Sequence, residues 1–328
     1  MDSAPIAVTG SIATDHLMHF PGRFTDSLLP DQLHRVSLSF LVDDLVVRRG
    51  GVAANICFTM GVLGQRPILL DAVGSDFAPY GSWLSRHGVV VDHVLRCDDV
   101  ATARFVCTTD DEMNQIGSFF AGAMSRAREI ELEPVVRAVG GIELVMISAG
   151  DPEAMVRHAQ ECRDREYPFA ADPSQQLARI DGRQARDLVR GAELLFSNDY
   201  ELGLLKSKSG WSDDDILSVV GHRITTHGPR GVEIVSAAEG TVTVKAVPER
   251  AKVDPTGVGD GFRGGFLAGR AVGLPMRRCA ELGSLMATLV LETTGTQEYS
   301  FEAADAQQRL ADCYGLESAS DIAAALGW

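Results

Sequence analysis

The stretch Asp254-Pro255-Thr256-Gly257-Val258-Gly259-Asp260-Gly261-Phe262 places three glycines and a carboxylate at the start of an apolar segment of helical length. A helix that begins near Gly257 presents free backbone N–H groups, and the positive end of its dipole, to an anion such as a phosphate. Asp260 falls in the first turn of that helix. A carboxylate there is suited to take a proton from a hydroxyl group that attacks the phosphate. The stretch therefore predicts phosphoryl transfer.

Two other interpretations of this stretch stay open while it is considered alone. Gly259, Gly261 and Gly264 also spell GxGxxG, the dinucleotide-binding fingerprint, which directly follows a strand and usually opens its domain. Here the preceding residues 248–253 are polar and lie late in the chain. The other alternative is a glycine-rich helix entrance without a catalytic role. Motifs elsewhere in the chain must decide between the three.

The composition is that of a soluble globular protein, with 45% apolar and 23% charged residues in a chain of 328. The net charge of −15 argues against nucleic acid or an anionic membrane as a partner, and a polyphosphate substrate would need Mg²⁺ and backbone dipoles. No segment reaches membrane-spanning length, and residues 1–7 lack the basic region and apolar core of a signal peptide. The six cysteines form no CxxC pair, and the eight histidines form no HExxH. We expect a cytoplasmic protein that binds small molecules.

Strands and helices alternate over most of the chain, which predicts an α/β fold with a mainly parallel central sheet and helices on both faces. Two excursions interrupt this order. The first is a polar segment at 13–32 followed by an alternating strand at 34–42, and the second comprises strands at 102–109 and 115–120. Alternation is typical of a sheet with one solvated or ligand-facing side. We therefore expect a small β lid from residues 13–47 and 101–124, and a large catalytic domain from 1–12, 48–100 and 125–328.

Three motifs together resemble the ribokinase-like carbohydrate and nucleoside kinases, the PfkB family, over nearly the whole chain. They are Gly50-Gly51 followed by Asn55, Asn198-Asp199-Tyr200-Glu201, and the stretch around Asp260, where family members usually read DTxGAGDxF. The resemblance implies a ribokinase-like fold and Asp260 as the general base. It also implies that the backbone N–H groups of Gly257, Val258 and Gly259 stabilise the charge on the transferring phosphoryl group.

The resemblance further implies a site for ATP and Mg²⁺. In the family the NxxE element organises Mg²⁺ and the phosphates, with Glu201 acting through water, although a lone NxxE is more often a helix cap. Residues 225–231 match a T-x-G-x-x-G segment that holds ATP, and by themselves they also fit a plain hairpin turn. Asp254 is the candidate ligand of a monovalent cation such as K⁺. The implied ATP-binding residues are Asn198, Thr226, Gly228, Gly231, Gly257 and Gly259.

The acceptor is predicted from the first strand and the lid. Asp15 sits where relatives grip two vicinal sugar hydroxyls, and Phe105 and Phe119 are suited to enclosing a flat base, although aromatic residues in strands are more often lid core. Residues 7–18, 36–46 and 171–179 resemble adenosine kinases of the mycobacterial type, which implies phosphorylation of the 5′-hydroxyl of adenosine to give AMP. The implied substrate-binding residues are Ser11, Asp15, Gly51, Asn55, Phe105, Phe119, Gln175, Gln176 and Arg179.

Two alternatives to an adenosine kinase remain: a ribokinase or other sugar kinase with the same machinery, and a nucleoside-binding regulator without catalysis. The intact Asp260 speaks against the regulator. We also expect a homodimer joined through the lid. On a strand at 34–42, Val36, Leu38, Phe40 and Val42 share one face, and no nearby segment would cover the lid face turned away from the substrate.

Overall fold

The structure is a computed structural model that describes residues 4–27 and 39–328. The core of the protein is a central sheet of eight strands. Six neighbouring strands are parallel, and the last two form an antiparallel hairpin at one edge. The mainly parallel sheet is as predicted. In spatial order the strands are β14 (Gly240–Val244), β13 (Val232–Ser236), β12 (His222–Thr226), β11 (Leu194–Asn198), β10 (Phe169–Ala171), β9 (Leu144–Ile147), β1 (Ile6–Thr9) and β4 (Ile68–Leu70).

Helices cover both faces of this sheet, and each face has its own apolar cluster. Successive residues of β1 illustrate the division, because Ile6 and Val8 pack in one cluster while Ala7 packs in the other. The helices packed on the Val8 side are α2 (Val52–Val62), α3 (Ala78–Arg86), α9 (Val258–Ala271), α10 (Met276–Leu291), α11 (Ala303–Tyr314) and α12 (Leu316–Leu326). Those on the Ala7 side are α4 (Leu132–Val139), α5 (Pro152–Asp164), α6 (Gly182–Val189), α7 (Asp199–Ser209) and α8 (Asp213–Leu217).

A separate four-stranded sheet forms the lid. Its strands are β3 (Asp44–Gly50), β2 (Ala13–Phe20), β7 (Ala103–Asp110) and β8 (Gln115–Phe120), in that spatial order. Two strands come from each excursion of the chain, and β7 and β8 lie where the second excursion was predicted to form strands. The described residues also contain the parallel pair β5 (Ala72–Gly74) and β6 (Leu95–Cys97), the short helix α1 (Phe24–Ser27) and several 3₁₀ helices.

The prediction for the first excursion was wrong in two respects. The segment expected to be a polar loop contains strand β2, whose polar residues lie on a sheet that is only partly covered. Residues 39–42 are not a strand, and Phe40 packs against Phe20 and Phe24, with ring centroids 4.8 and 4.9 Å apart. The predicted strand residues 34–38, among them Val36 and Leu38, lie outside the described residues. Phe40, which the alternating pattern assigned to one face of a strand, therefore belongs to an aromatic cluster.

The GxGxxG spelling in α9 has a packing explanation. No strand directly precedes this helix, since residues 245–257 contain none. A Cβ on Gly264 would lie 2.5 Å from the Cβ of Thr59, and a Cβ on Gly261 would lie 2.8 Å from a methyl group of Val290. These glycines let α9 approach α2 and α10 closely. The dinucleotide-binding interpretation is therefore wrong.

Candidate active site

The predicted motifs converge at the carboxyl ends of the parallel strands, where α/β sheets bind their ligands. Ser11 follows β1, and Asp172 follows β10. Asn198 ends β11 beside Thr226, its register partner at the end of β12. The topology thus brings residues from distant parts of the chain to one edge of the sheet.

The amino terminus of α9 presents unpaired backbone donors at this edge. Gly257 caps the helix with φ 74°, a left-handed conformation that favours glycine. Over residues 4–27 and 39–328, no acceptor lies within hydrogen-bond range of the N–H groups of Gly257 and Gly259, whereas the N–H of Val258 donates to the Pro255 carbonyl over 3.4 Å. Two of the three predicted donors are thus free to bind an anion, and the third has only a long bond to the chain.

Asp260 lies in the first turn of α9 and accepts a hydrogen bond from Asn55 Nδ2 on its Oδ2, at 2.9 Å. Asn55 belongs to α2, which begins after Gly51 (φ 96°), where any Cβ would lie 2.5 Å from the Ser11 carbonyl. Burial raises the pKa of Asp260 to about 6, although Arg263 and the Asn55 hydrogen bond act to lower it. A carboxylate with this pKa is ionised at neutral pH and is a stronger base than an exposed aspartate.

A buried arginine, missed in the sequence analysis, lies next to the predicted base. Arg263 Nη2 is 2.6 Å from Asp172 Oδ1 and 4.0 Å from Glu201 Oε2. Its Nη1 lies so close to Gly259 that a Cβ there would stand 2.6 Å away. Burial raises the pKa of Asp172 to about 7, against the lowering effect of Arg263. An arginine three residues after Asp260 on an otherwise buried helix face was the signal in the sequence.

The NxxE motif forms a helix cap, as the simpler interpretation of it anticipated. The Asn198 side chain accepts from the Glu201 N–H, and Glu201 Oε2 accepts from the Asn198 N–H, each at 2.8 Å. Glu201 Oε1 accepts from the Ser174 hydroxyl at 3.2 Å. The cap fixes the Glu201 carboxylate at the edge of the sheet, within 4.0 Å of Arg263. The structural and the predicted metal-organising roles are therefore compatible.

Residues 225–231 connect β12 to β13, so the hairpin interpretation of this segment is correct as well. Gly228 begins a short 3₁₀ helix, and the Gly231 carbonyl accepts from the His227 N–H at 2.7 Å. His227 and Arg230 both pair with the carboxylate of Asp199, at 2.5 and 2.7 Å. The loop is thus held beside the amino terminus of α7, next to Asn198, where the ATP site is predicted.

Three of the predicted acceptor residues lie side by side on one face of the lid. Asp15 in β2 is the register partner of Phe105 in β7, and Phe105 is the partner of Phe119 in β8. Cross-strand partners point to the same face of a sheet. Arg48 of β3 continues this row on the other side of Asp15. Burial, and then the charge of Asp254, raises the pKa of Asp15 to about 6. The lid thus presents one carboxylate next to two aromatic rings.

Other predicted site residues have structural contacts of their own. The Ser11 hydroxyl accepts from the Val52 N–H at 3.0 Å and so holds the start of α2. The Asp254 carboxylate accepts from the N–H groups of Thr256 and Gly295, at 2.9 and 3.1 Å. The Asp254 carboxylate therefore ties the loop before α9 to the segment after α10.

The remaining predicted acceptor residues lie on a 3₁₀ helix that follows Asp172. Gln176 is buried, and Gln175 and Arg179 are exposed. Within this segment the Ser174 hydroxyl contacts the Gln175 side chain, and it also connects the segment to Glu201. The contacts of the segment place it near the predicted phosphate end of the site, and none of them reaches Asp15, Phe105 or Phe119.

Comparison with known proteins agrees with this arrangement. Residues 11–304 match the model of the pfkB family carbohydrate kinases. The chain belongs to this family. A nucleoside kinase of Methanothermobacter thermautotrophicus is 27% identical over 321 residues, which is 95% of this chain and 97% of that protein. The helices of the described residues include none that is long and apolar enough to cross a membrane.

Solved structures support the same assignment. A nucleoside kinase of Burkholderia thailandensis in complex with inosine is 33% identical, with a TM-score of 0.81 over 94% of this chain and 98% of that one. The fold is also shared with the nucleoside kinase of Methanocaldococcus jannaschii, described as an archaeal member of the ribokinase family, with a TM-score of 0.82 over 95% of this chain and 100% of that one at 24% identity. The expected ribokinase-like α/β fold with a small sheet lid is confirmed. These relatives are described as nucleoside kinases, so the narrower resemblance to adenosine kinases stays a prediction.

Proposed function

We propose that this protein is an ATP-dependent nucleoside kinase that transfers a phosphoryl group to the 5′-hydroxyl of adenosine, giving AMP and ADP. The observation that carries the proposal is the row formed by Asp15, Phe105 and Phe119 on the lid. A carboxylate suits the vicinal hydroxyls of a ribose, and adjacent aromatic rings suit a flat base. A free sugar has no flat base for the two aromatic rings to enclose, so this row favours a nucleoside over a free sugar.

In the proposed reaction Asp260 accepts the proton of the 5′-hydroxyl as the oxygen of that hydroxyl attacks the γ-phosphorus of ATP. The bond from this phosphorus to the bridging oxygen breaks, and ADP leaves with the bond's electron pair. The free N–H groups of Gly257 and Gly259 stabilise the negative charge on the transferring phosphoryl group. Asn55 holds one carboxylate oxygen of Asp260 at 2.9 Å, which keeps the base in place during the transfer.

The oxygen donors of the site fit a hydrated Mg²⁺, which prefers hard oxygen ligands and retains several waters. Glu201 would hold the ion through water. Asp172 Oδ2, which is buried and has no hydrogen-bond partner among the residues that the structure describes, would accept from that water shell. When bound, Mg²⁺ neutralises charge on the phosphate oxygens. A monovalent cation such as K⁺ at Asp254 is part of the proposal, and the cation would have to share the oxygens that now accept from Thr256 and Gly295.

Inosine is the second candidate acceptor, because the Burkholderia thailandensis relative was solved with inosine and with ADP-inosine. The two nucleosides share the ribose that Asp15 would bind and the flat purine that Phe105 and Phe119 would enclose. They differ at position 6 of the base, where adenosine has an amino group and inosine a carbonyl. The choice between them therefore depends on polar groups around the base and not on the row of lid residues.

The direct test is an assay of ADP release with ATP and Mg²⁺, comparing adenosine, inosine, guanosine, cytidine, ribose and fructose. We expect the highest kcat/KM with adenosine and far lower values with the two sugars. A higher kcat/KM for ribose than for any nucleoside would favour a sugar kinase. Tight adenosine binding without ADP release would favour the non-catalytic regulator.

A further inference from the structure

A chain of hydrogen bonds between side chains leads from Trp83, through Gln297 and Asn55, to Asp260. Trp83 Nε1 donates to Gln297 Oε1 at 3.1 Å, and Gln297 Nε2 donates to Asn55 Oδ1 at 2.9 Å. Asn55 Nδ2 donates in turn to Asp260 Oδ2 at 2.9 Å. Gln297 and Asn55 are buried, so water does not replace these bonds. The chain connects α3, the segment after α10, α2 and α9.

The donors in this chain determine which way each amide points. An indole N–H can only donate, so the atom of Gln297 that faces Trp83 must be the carbonyl oxygen, which leaves Nε2 as the donor toward Asn55. Asn55 Oδ1 accepts from Gln297 at 2.9 Å, and the Thr296 hydroxyl shares its one hydrogen between Asn55 Oδ1 at 2.9 Å and the Arg49 carbonyl at 3.0 Å. The amide of Asn55 is therefore held with its NH₂ group toward Asp260. The opposite orientation would set two oxygen atoms against each other.

The second hydrogen of the Gln297 amide is also used. Gln297 Nε2 lies 2.6 Å from the Tyr80 hydroxyl, which donates its own hydrogen to the Gly50 carbonyl at 2.9 Å. The Tyr80 hydroxyl can therefore only accept from Gln297. This second contact ties Gln297 to the glycine pair before α2, and it removes the remaining freedom of the amide.

We propose that Gln297 is a positioning residue for the proton acceptor: it holds Asn55 in the one orientation that donates to Asp260. The inference rests on the proposed role of Asp260 as general base. Asn55 occupies Oδ2 of that carboxylate, and over residues 4–27 and 39–328 no donor lies within hydrogen-bond range of Oδ1. The arrangement leaves Oδ1 for the acceptor hydroxyl and fixes the plane of the carboxylate. Small displacements of a catalytic group cost large factors in rate.

Two substitutions separate this role from simple packing. Gln297→Met keeps the length of the side chain and removes both the donor and the acceptor. Gln297→Glu keeps an oxygen for Trp83 and, when the new carboxyl group is ionised, removes the donor to Asn55. The matched control is Tyr299→Phe, because Tyr299 lies two residues further along the same segment and donates to the Thr59 hydroxyl at 2.8 Å, in a buried bond that does not reach Asn55. All three variants lose a buried hydrogen bond of this segment.

The readouts are kcat, the KM values for ATP and adenosine, the pH dependence of kcat/KM and the unfolding temperature. For both Gln297 variants we expect kcat to fall about 10- to 100-fold, with the KM for ATP changed less than about 3-fold. The Asn55 hydrogen bond lowers the pKa of Asp260, so its loss moves the acidic limb of kcat/KM toward higher pH. Arg263 and Glu201, the charged groups that act on Asp260, are unchanged in both variants. An ionised carboxylate in Gln297→Glu would move the acidic limb in the same direction, so Gln297→Met is the comparison without added charge.

Tyr299→Phe should keep kcat and the acidic limb near their wild-type values, even where its unfolding temperature falls as far as that of the Gln297 variants. The proposal is overturned if Tyr299→Phe loses as much turnover as Gln297→Met. It is also overturned if both Gln297 variants fold and keep wild-type kcat. Asp260→Asn in the same assay tests the proposed function separately, because an active Asp260→Asn would show that the base itself is wrongly assigned.

Discussion

The guanidinium of Arg263 lies 2.6 Å from the carboxylate of Asp172, and both side chains are buried. This ion pair ties α9, which carries the proposed base, to the end of β10. The same guanidinium lies 4.0 Å from Glu201 Oε2. One positive charge therefore serves three carboxylates, those of Asp172, Glu201 and Asp260, and it compensates part of their mutual repulsion.

Replacing Arg263 by Met should destabilise the protein by about 3 to 5 kcal/mol, because Asp172 is left buried without its partner. The measurement is unfolding by denaturant. Arg270→Met is the matched control on the same helix, since Arg270 pairs with Glu193 at 2.7 Å in a more exposed position and its loss should cost clearly less. Equal losses of unfolding free energy in the two variants would show that the buried Arg263–Asp172 pair contributes no more to stability than the more exposed Arg270–Glu193 pair.

The pH dependence of kcat/KM should show two carboxylates. Burial raises the pKa values of Asp260 and Asp15 to about 6, and both groups are expected to act in their ionised forms. Activity should thus be full above the two pKa values and fall as the pH drops through them, with a limiting slope of log(kcat/KM) of about 2. Asp15→Asn should reduce that slope to about 1. A profile that stays flat from about pH 5 to pH 8 would contradict the assignment of both residues.

Phe105→Ala and Phe119→Ala should each weaken adenosine binding far more than ATP binding. Stacking on a base is worth about 1 to 3 kcal/mol, so the affinity for adenosine should drop about 5- to 150-fold. Calorimetric titration of adenosine and of ATP measures both effects. If ribose binding fell as much as adenosine binding, the rings would be acting through lid packing, and the sugar-kinase alternative would gain support.

The homodimer remains a prediction, and the structure changes the residues that test it. The lid face opposite Asp15 and Phe105 carries four exposed apolar side chains: Leu45 (57% exposed), Val47 (56%), Ile116 (48%) and Phe120 (50%). A second copy presenting the same face would bury them. Static light scattering should report twice the chain mass, and Val47→Asp should shift it toward the monomer.

Leu316→Asp is the control for this experiment, because Leu316 is exposed on α12, outside the lid sheet. It should leave the dimer intact. The sequence pattern placed Phe40 on a lid face, but Phe40→Asp is an unsuitable test because Phe40 packs against Phe20 and Phe24. A wild-type monomer at micromolar concentration would show that this lid face is not an interface between copies.

The features that the sequence predicted well depend on local patterns. Examples are the turn before α9 and the capping position of Asn198, which follow from neighbouring residues whose preferences agree with the final fold. Asn55 and Asp260 belong to two such motifs, which the family resemblance assigns to one active site. Motifs of this kind can be read from one sequence because the backbone geometry demands particular residue types.

The features that sequence analysis missed depend on contacts between distant segments. Gln297 touches Asn55 across 242 residues, and Arg263 touches Asp172 across 91. Gln297 does not differ by pattern from an ordinary polar residue of a loop, and Arg263 differs from an ordinary helix residue only by its position on an otherwise apolar face. Strand β2 was missed because the residues of this strand are mostly half-buried on both faces, so its sequence shows little alternation of apolar and polar residues.

The replacement of Asp260 by Asn tests the central claim most directly, because it removes the proton acceptor while retaining shape. The measurement is kcat for phosphorylation of adenosine, with calorimetric titration of ATP as the control for folding and nucleotide binding. We expect turnover to fall on the order of 10²- to 10⁴-fold with ATP binding nearly unchanged. A variant that kept more than about a tenth of wild-type turnover, with unaltered ATP binding, would contradict the role of Asp260 as the general base.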